Sequence, residues 1–242
     1  MAAGGVTAEG TPPEQASAKS VLARSTLEGP VLTWRFEAEQ VRDFTFTASK
    51  VQQWDATSAR VADRDGDGRE DRVAIHAFHR PDLAPVWAEQ RAARFTKHAI
   101  EFHSRFTGMP YPWSHMTSVE GTDIIGGGME FPMLTVIGPY TEQGEEALYN
   151  VISHELAHMW IPMIVGTNEK RYAWMDEGAT SFLENHSRYD QWPGTDAHVD
   201  EGAGYLQVAR MGLEQPLMRH GDFYEPGPGY GVASYPKPAT LL

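Results

Sequence analysis

With 242 residues, 41% of them hydrophobic and 22% charged, the chain has ordinary globular composition and is long enough for one large domain or two small ones. Its formal charge of −13, from 20 basic and 33 acidic residues, argues against nucleic acid or an anionic membrane as a partner and suits a site that holds a cation. Cysteine is absent, so disulfides and thiolate ligands are excluded, and a transition metal would have to be held by histidine and carboxylate.

Residues 1–29 carry Gly, Pro, Ser, Ala and scattered charge with few large apolar groups, which predicts a flexible leader. This stretch has no basic region followed by an apolar run, so no signal peptide is evident, and no apolar run of about eighteen residues marks a membrane span. The compartment stays open. From Val31 to Ser49 the alternation of Trp34, Phe36, Val41, Phe44 and Phe46 with Thr and charged residues predicts β structure.

Two further strands are expected over 51–61 and 72–79, joined by an acidic stretch. There Asp63, Asp65, Asp67 and Asp71, with Gly68 between them, resemble the start of a calcium loop, whereas Ala74 stands where a bidentate Glu would complete it. The alternative is a charged hairpin turn built on Asp-Gly. His76 and His79 lie three apart on the returning strand and therefore face opposite ways.

Pro81 to Pro85 make a break, after which Val86 to Thr107 has the apolar stripe of an amphipathic helix, closed by Gly108 and Pro110. His98 and His103, five apart, share no helical face and read as solvated or capping residues. Strands are expected at Met116 to Glu120 and Phe131 to Ile137, on either side of the bend at Gly126, Gly127 and Gly128. Helices are expected at Glu145 to Met159, Trp174 to Asp190 and His198 to Leu213, and a loop at Glu225 to Gly231.

The chain's most informative stretch runs from Val151 to Trp160, where His154, Glu155 and His158 form H-E-x-x-H within an apolar run. Histidines four apart project from one helical face and can grip one metal ion, and Glu155 beside them can reach a metal-bound water. Catalytic zinc usually takes a third protein ligand. Glu177, separated from His158 by eighteen residues and lying in the next helical pattern, is the candidate.

His154, Glu155, His158 and Glu177 at this spacing resemble the gluzincin zinc peptidases of the aminopeptidase N and leukotriene hydrolase family. Gly127, Gly128, Met129 and Glu130 resemble that family's exopeptidase motif G-x-M-E-N, with Phe131 in place of Asn. Tyr235, Pro236 and Lys237 resemble its Y-x-K segment, with Pro238 in place of the usual Gly, and Tyr230 is an alternative for the tyrosine. The segment from Val41 to Phe44 resembles the close of the family's N-terminal β domain.

The resemblance implies an α+β fold: a thermolysin-like catalytic domain over 85–242, preceded by the closing strands of an N-terminal β domain over 30–84. It implies one catalytic zinc on His154, His158 and Glu177, with Glu155 as general base and Tyr235 as oxyanion donor. Glu130, Gly127, Gly128 and Met129 would bind a peptide substrate by its amino end. It also implies flanking N- and C-terminal domains, so the chain reads as a fragment. A zinc endopeptidase, a bifunctional epoxide hydrolase and a truncated module that binds zinc or peptide without turnover stay open as alternatives.

Overall fold

The computed structural model describes residues 21–28, 31–38, 42–194 and 196–242; residues 1–20, the larger part of the expected leader, lie outside them. Within that leader, however, β1 (Val21–Glu28) forms an antiparallel pair with β2 (Val31–Ala38), so the leader expectation is corrected for these residues. Val21, Leu22 and Leu27 give the segment more strand character than its average composition suggests.

The main sheet has five strands, in the order β3 (Gln53–Val61), β4 (Asp71–His79), β5 (His115–Glu120), β7 (Leu134–Ile137) and β6 (Gly128–Phe131). The outer pairs β3–β4 and β6–β7 are antiparallel hairpins, and β5 runs parallel to both β4 and β7. This corrects the expected domain break at 84/85, because β4 before it and β5 after it lie side by side in one sheet. A local run of prolines ends a strand; it says nothing about which later strand pairs with it.

On β4 the alternation is clean: Val73, Ile75, Ala77 and His79 are buried while the residues between them are less so. Against that face lies α1 (Arg91–Thr107), which presents Ala92, Phe95, Ala99 and Phe102 at helical spacing and ends at Gly108, whose φ of 70° is the left-handed closing conformation that favours glycine. On its other side α1 meets α2 (Glu145–Ala157), and α2 in turn packs on α3 (Ala179–Gln191). The core between sheet and helices is filled by Ile75, Trp87, Ile100, Met116, Leu148, Ile152, Leu156 and Trp160.

His103 corrects the reading of a solvated residue. It is fully buried in α1, with Nε2 3.0 Å from Ser153 Oγ and 3.1 Å from the Ser153 carbonyl oxygen, so it pins α1 to the residue before His154. Burial pushes its pKa down to about 3, so it is neutral at ordinary pH. His98 is likewise engaged, with Tyr149 Oη at 2.6 Å and Asp190 Oδ2 at 3.0 Å.

Toward the C-terminus α4 (Ala197–Arg210) packs on α3 and on α6 (Pro236–Leu241). The expected loop at 225–231 extends only to Pro228, where α5 (Gly229–Ser234) begins. Among the described residues no helix is long and apolar enough to cross a membrane.

Candidate active site

His154 lies in the last turn of α2, and His158 caps it, its N–H still reaching the His154 carbonyl oxygen at 3.3 Å. Their rings are 5.0 Å apart and nearly perpendicular, on one side of the helix as the four-residue spacing requires. Glu177 comes from the next element, a short π-helix at Trp174–Gly178 that leads straight into α3. That wide turn sets the third candidate ligand, a carboxylate, between the two imidazoles: Glu177 Oε2 is 3.1 Å from His154 Nε2 and 3.4 Å from His158 Nε2.

The opposite nitrogens are backed by carboxylates that the motif did not reveal. His154 Nδ1 lies 3.1 Å from Glu184 Oε2, and His158 Nδ1 lies 2.7 Å from Asp176 Oδ1 and 3.0 Å from the Ile161 carbonyl oxygen. Such partners fix ring orientation and leave Nε2 as the donor. Glu184 had a sequence signal, since it follows Glu177 by two helical turns and so shares its face.

Burial opposes a proton on His154, yet the hydrogen bonds it donates to the Glu177 and Glu184 carboxylates raise its pKa to about 10. His158 is raised too: burial opposes it, and Asp176 and Glu177 outweigh burial. Burial disfavours ionised Glu177, but the two histidines hold its carboxyl well below the usual range. The field that favours protons on both rings equally favours a divalent cation between them. Two imidazole nitrogens and one carboxylate oxygen, all within 4.8 Å of one another, match the donor set and number of a catalytic zinc site.

Glu155 is buried over Gly128, where a side-chain carbon added to that glycine would stand 2.2 Å from Glu155 Oε1. Only glycine leaves room there for the carboxylate. Burial raises the Glu155 pKa to about 7, and its Oε2 has no hydrogen-bond partner among the described residues. Glu130, on edge strand β6, brings a carboxylate oxygen within 4.8 Å of those of Glu155 and of a His158 nitrogen.

Tyr235 sits between α5 and α6 with φ −108° and ψ −83°, outside the helical region that Pro236 denies to the residue before it. Its ring stacks on His154 at 5.8 Å and its hydroxyl bonds Glu177; burial, then Glu177, raises its pKa. Pro238, the departure from the family pattern, packs on Gly178 immediately after Glu177, where any side chain would meet the proline ring at 2.3 Å. Tyr230 instead is 42% exposed, packs on Tyr224 and does not line the cavity described next, although its hydroxyl lies near enough to Tyr235 to act on it electrostatically.

A cavity of about 350 Å³ is lined by Gly127, Gly128, Glu130, Glu155, the three candidate ligands and Tyr235. The sequence-predicted site residues therefore meet there, with one exception. Met129 alternates to the other face of β6, is 38% exposed and does not line the cavity.

Residues 91–242 match the Peptidase family M1 domain. The chain belongs to this family. Over 117 residues it is 32% identical to leucine aminopeptidase 2 of Neurospora crassa, a match spanning 48% of this chain and 17% of that protein. Over 58 residues it is 40% identical to leukotriene A-4 hydrolase of Xenopus laevis, spanning 24% of this chain and 10% of that one. An M1 zinc metallopeptidase from Deinococcus radiodurans has the same fold, with TM-score 0.58 at 18% identity, covering 93% of this chain and 48% of that one. The chain thus spans only part of the length of these M1 relatives.

The Asp-rich stretch is a hairpin turn between β3 and β4, as the alternative reading had it. Asp63 accepts the backbone N–H groups of Asp65, Gly66 and Gly68, while Asp71 accepts the Arg64 N–H and pairs with its guanidinium at 3.0 Å. The calcium expectation at Asp63, Asp65, Asp67 and Asp71 is corrected accordingly, because these two carboxylates already serve the turn.

Proposed function

We propose that this chain carries the catalytic site of a zinc aminopeptidase, with His154, His158 and Glu177 as metal ligands. The observation that carries the reading is the convergence of both Nε2 atoms on Glu177 Oε2, beside a buried Glu155 and within reach of Glu130. Zinc held there would supply a Lewis acid that polarises the scissile carbonyl and makes water acidic enough to deprotonate near neutral pH. Glu155, with a pKa near 7, takes that proton and returns it to the leaving amine. Tyr235, kept protonated by burial, donates its O–H to the oxyanion that develops on the carbonyl oxygen.

Glu130 makes the site an exopeptidase one. Its carboxylate pairs with the substrate's free α-amino group and leaves room for one residue before the scissile bond. The substrate's backbone lies along edge strand β6, whose glycines allow close approach. The five-stranded sheet with its edge at the cavity, facing α2, supports a thermolysin-like catalytic unit that begins at β3 and not at residue 85.

Hydrolysis of leucine p-nitroanilide, with and without chelator, is the test. Release that stops on chelation and returns with zinc is expected, and N-acetylated peptides should resist cleavage. Efficient cutting of N-acetylated peptides at internal bonds would make the site an endopeptidase instead, and zinc binding without any hydrolysis would make it a non-catalytic module.

A further inference from the structure

Glu130, Glu155, Glu177, Glu184 and Glu201 all line the cavity, and only Glu201 has no part in the chemistry above. It stands on α4, a helix that carries none of the family motifs. One of its oxygens, Oε2, accepts a hydrogen bond from the Asn185 side chain at 2.5 Å. Arg188, whose field reaches it, is itself held by Glu146 at 2.6 Å. Burial raises its pKa to about 7, and among the described residues its other oxygen has no hydrogen-bond partner and no cation pairs with it.

Its place in the cavity says which part of a substrate it would meet. Glu130 lies near Glu155 and His158, whereas the charged neighbours of Glu201 are Glu184, His154 and Arg188. Glu130 is thus on the His158 side of the ligand pair and Glu201 on the His154 side. If Glu130 holds the α-amino group of the first residue, Glu201 lies beyond the scissile bond.

We propose that Glu201 is a specificity residue that selects a cationic side chain, lysine or arginine, in the second residue of the peptide. This inference rests on the aminopeptidase reading for the substrate's direction. A lysine ammonium at that point would gain a charge-assisted hydrogen bond in a partly dry cavity. A plain helix tie to Asn185, the competing role, needs no charge.

The test compares Leu-Lys with Leu-norleucine, whose second residues share a four-carbon stem and differ in the ammonium. In the zinc-loaded protein kcat/KM for Leu-Lys should exceed that for Leu-norleucine by about tenfold, the factor expected of one charged hydrogen bond. In Glu201→Gln, whose amide oxygen can still accept from Asn185, the ratio should fall toward one, with Glu201→Asp between the two. Equal rates on both dipeptides before mutation, or a preference that survives in Glu201→Gln, would overturn the proposal.

Leucine p-nitroanilide has no second amino acid and reports on the aminopeptidase reading alone. If it is not cleaved, that reading fails, and Glu201 is judged by calorimetric titration of lysine against norleucine. Tighter lysine binding that is lost in Glu201→Gln would support the carboxylate's role, and equal binding would sink it.

Discussion

Two regions of this chain bring acidic and metal-ligating groups close together, and they differ in what those groups already do. In the turn between β3 and β4 the carboxylates of Asp63, Asp65 and Asp71 cluster within 4.8 Å, as do His154, His158 and Glu177 in the cavity. Asp63 is exposed, and its backbone hydrogen bonds, chiefly with Gly68 and Gly66, lower its pKa; Asp71 answers Arg64. In the cavity the outward nitrogens of both histidines are taken by Glu184 and Asp176, which leaves the inward donors aimed at one point. Proximity of ligand atoms is thus shared by both regions. Donors held in place by separate partners belong to only one.

The sharpest way to break this contrast is to remove an inward donor. His158→Ala should lose stoichiometric zinc, read by metal analysis after dialysis, and with it essentially all peptidase activity. A variant that kept its zinc would move the metal elsewhere.

Next comes the base. Glu155→Gln fills the same space over Gly128 but cannot take a proton, so it should keep zinc while turnover falls by at least about 100-fold. Turnover near that of the unmutated protein would reject the role.

Tyr235→Phe should lower kcat by about 100-fold with little change in KM, because the donated hydrogen bond forms fully only as charge develops on the oxyanion. Tyr230→Phe should leave both constants where they are, since that side chain does not line the cavity. Exchange of these two outcomes would transfer the role to Tyr230.

The smallest effect is expected in the turn. Asp63→Asn should lower the melting temperature slightly, by weakening the bonds to the loop amides, and millimolar calcium should not move the melting temperature of either protein. A calcium-dependent rise that vanishes in the variant would make the two regions alike after all.

Much of this was legible in the residues. The spacing of His154, Glu155, His158 and Glu177 anticipated that these side chains converge, because α2 and the turn before α3 impose it locally, and the alternation along β4 anticipated its buried face. His103 was misjudged because its partner, Ser153, is 50 residues away, and burial across such a distance leaves no periodic mark. Met129 was grouped with its neighbours as a motif, although a strand sends alternate residues to opposite faces.

By itself the sequence determined the kind of chemistry, since a chain without cysteine that carries H-E-x-x-H and a later Glu can offer zinc only imidazole and carboxylate. Tertiary structure alone decided that β3 and β4 join the five-stranded sheet, that Asp176 stands behind His158, and that Glu201 from α4 lines the cavity. Local rules of spacing and alternation act over a few residues, whereas strand pairing and helix docking are settled by which apolar faces can be buried together across the whole chain.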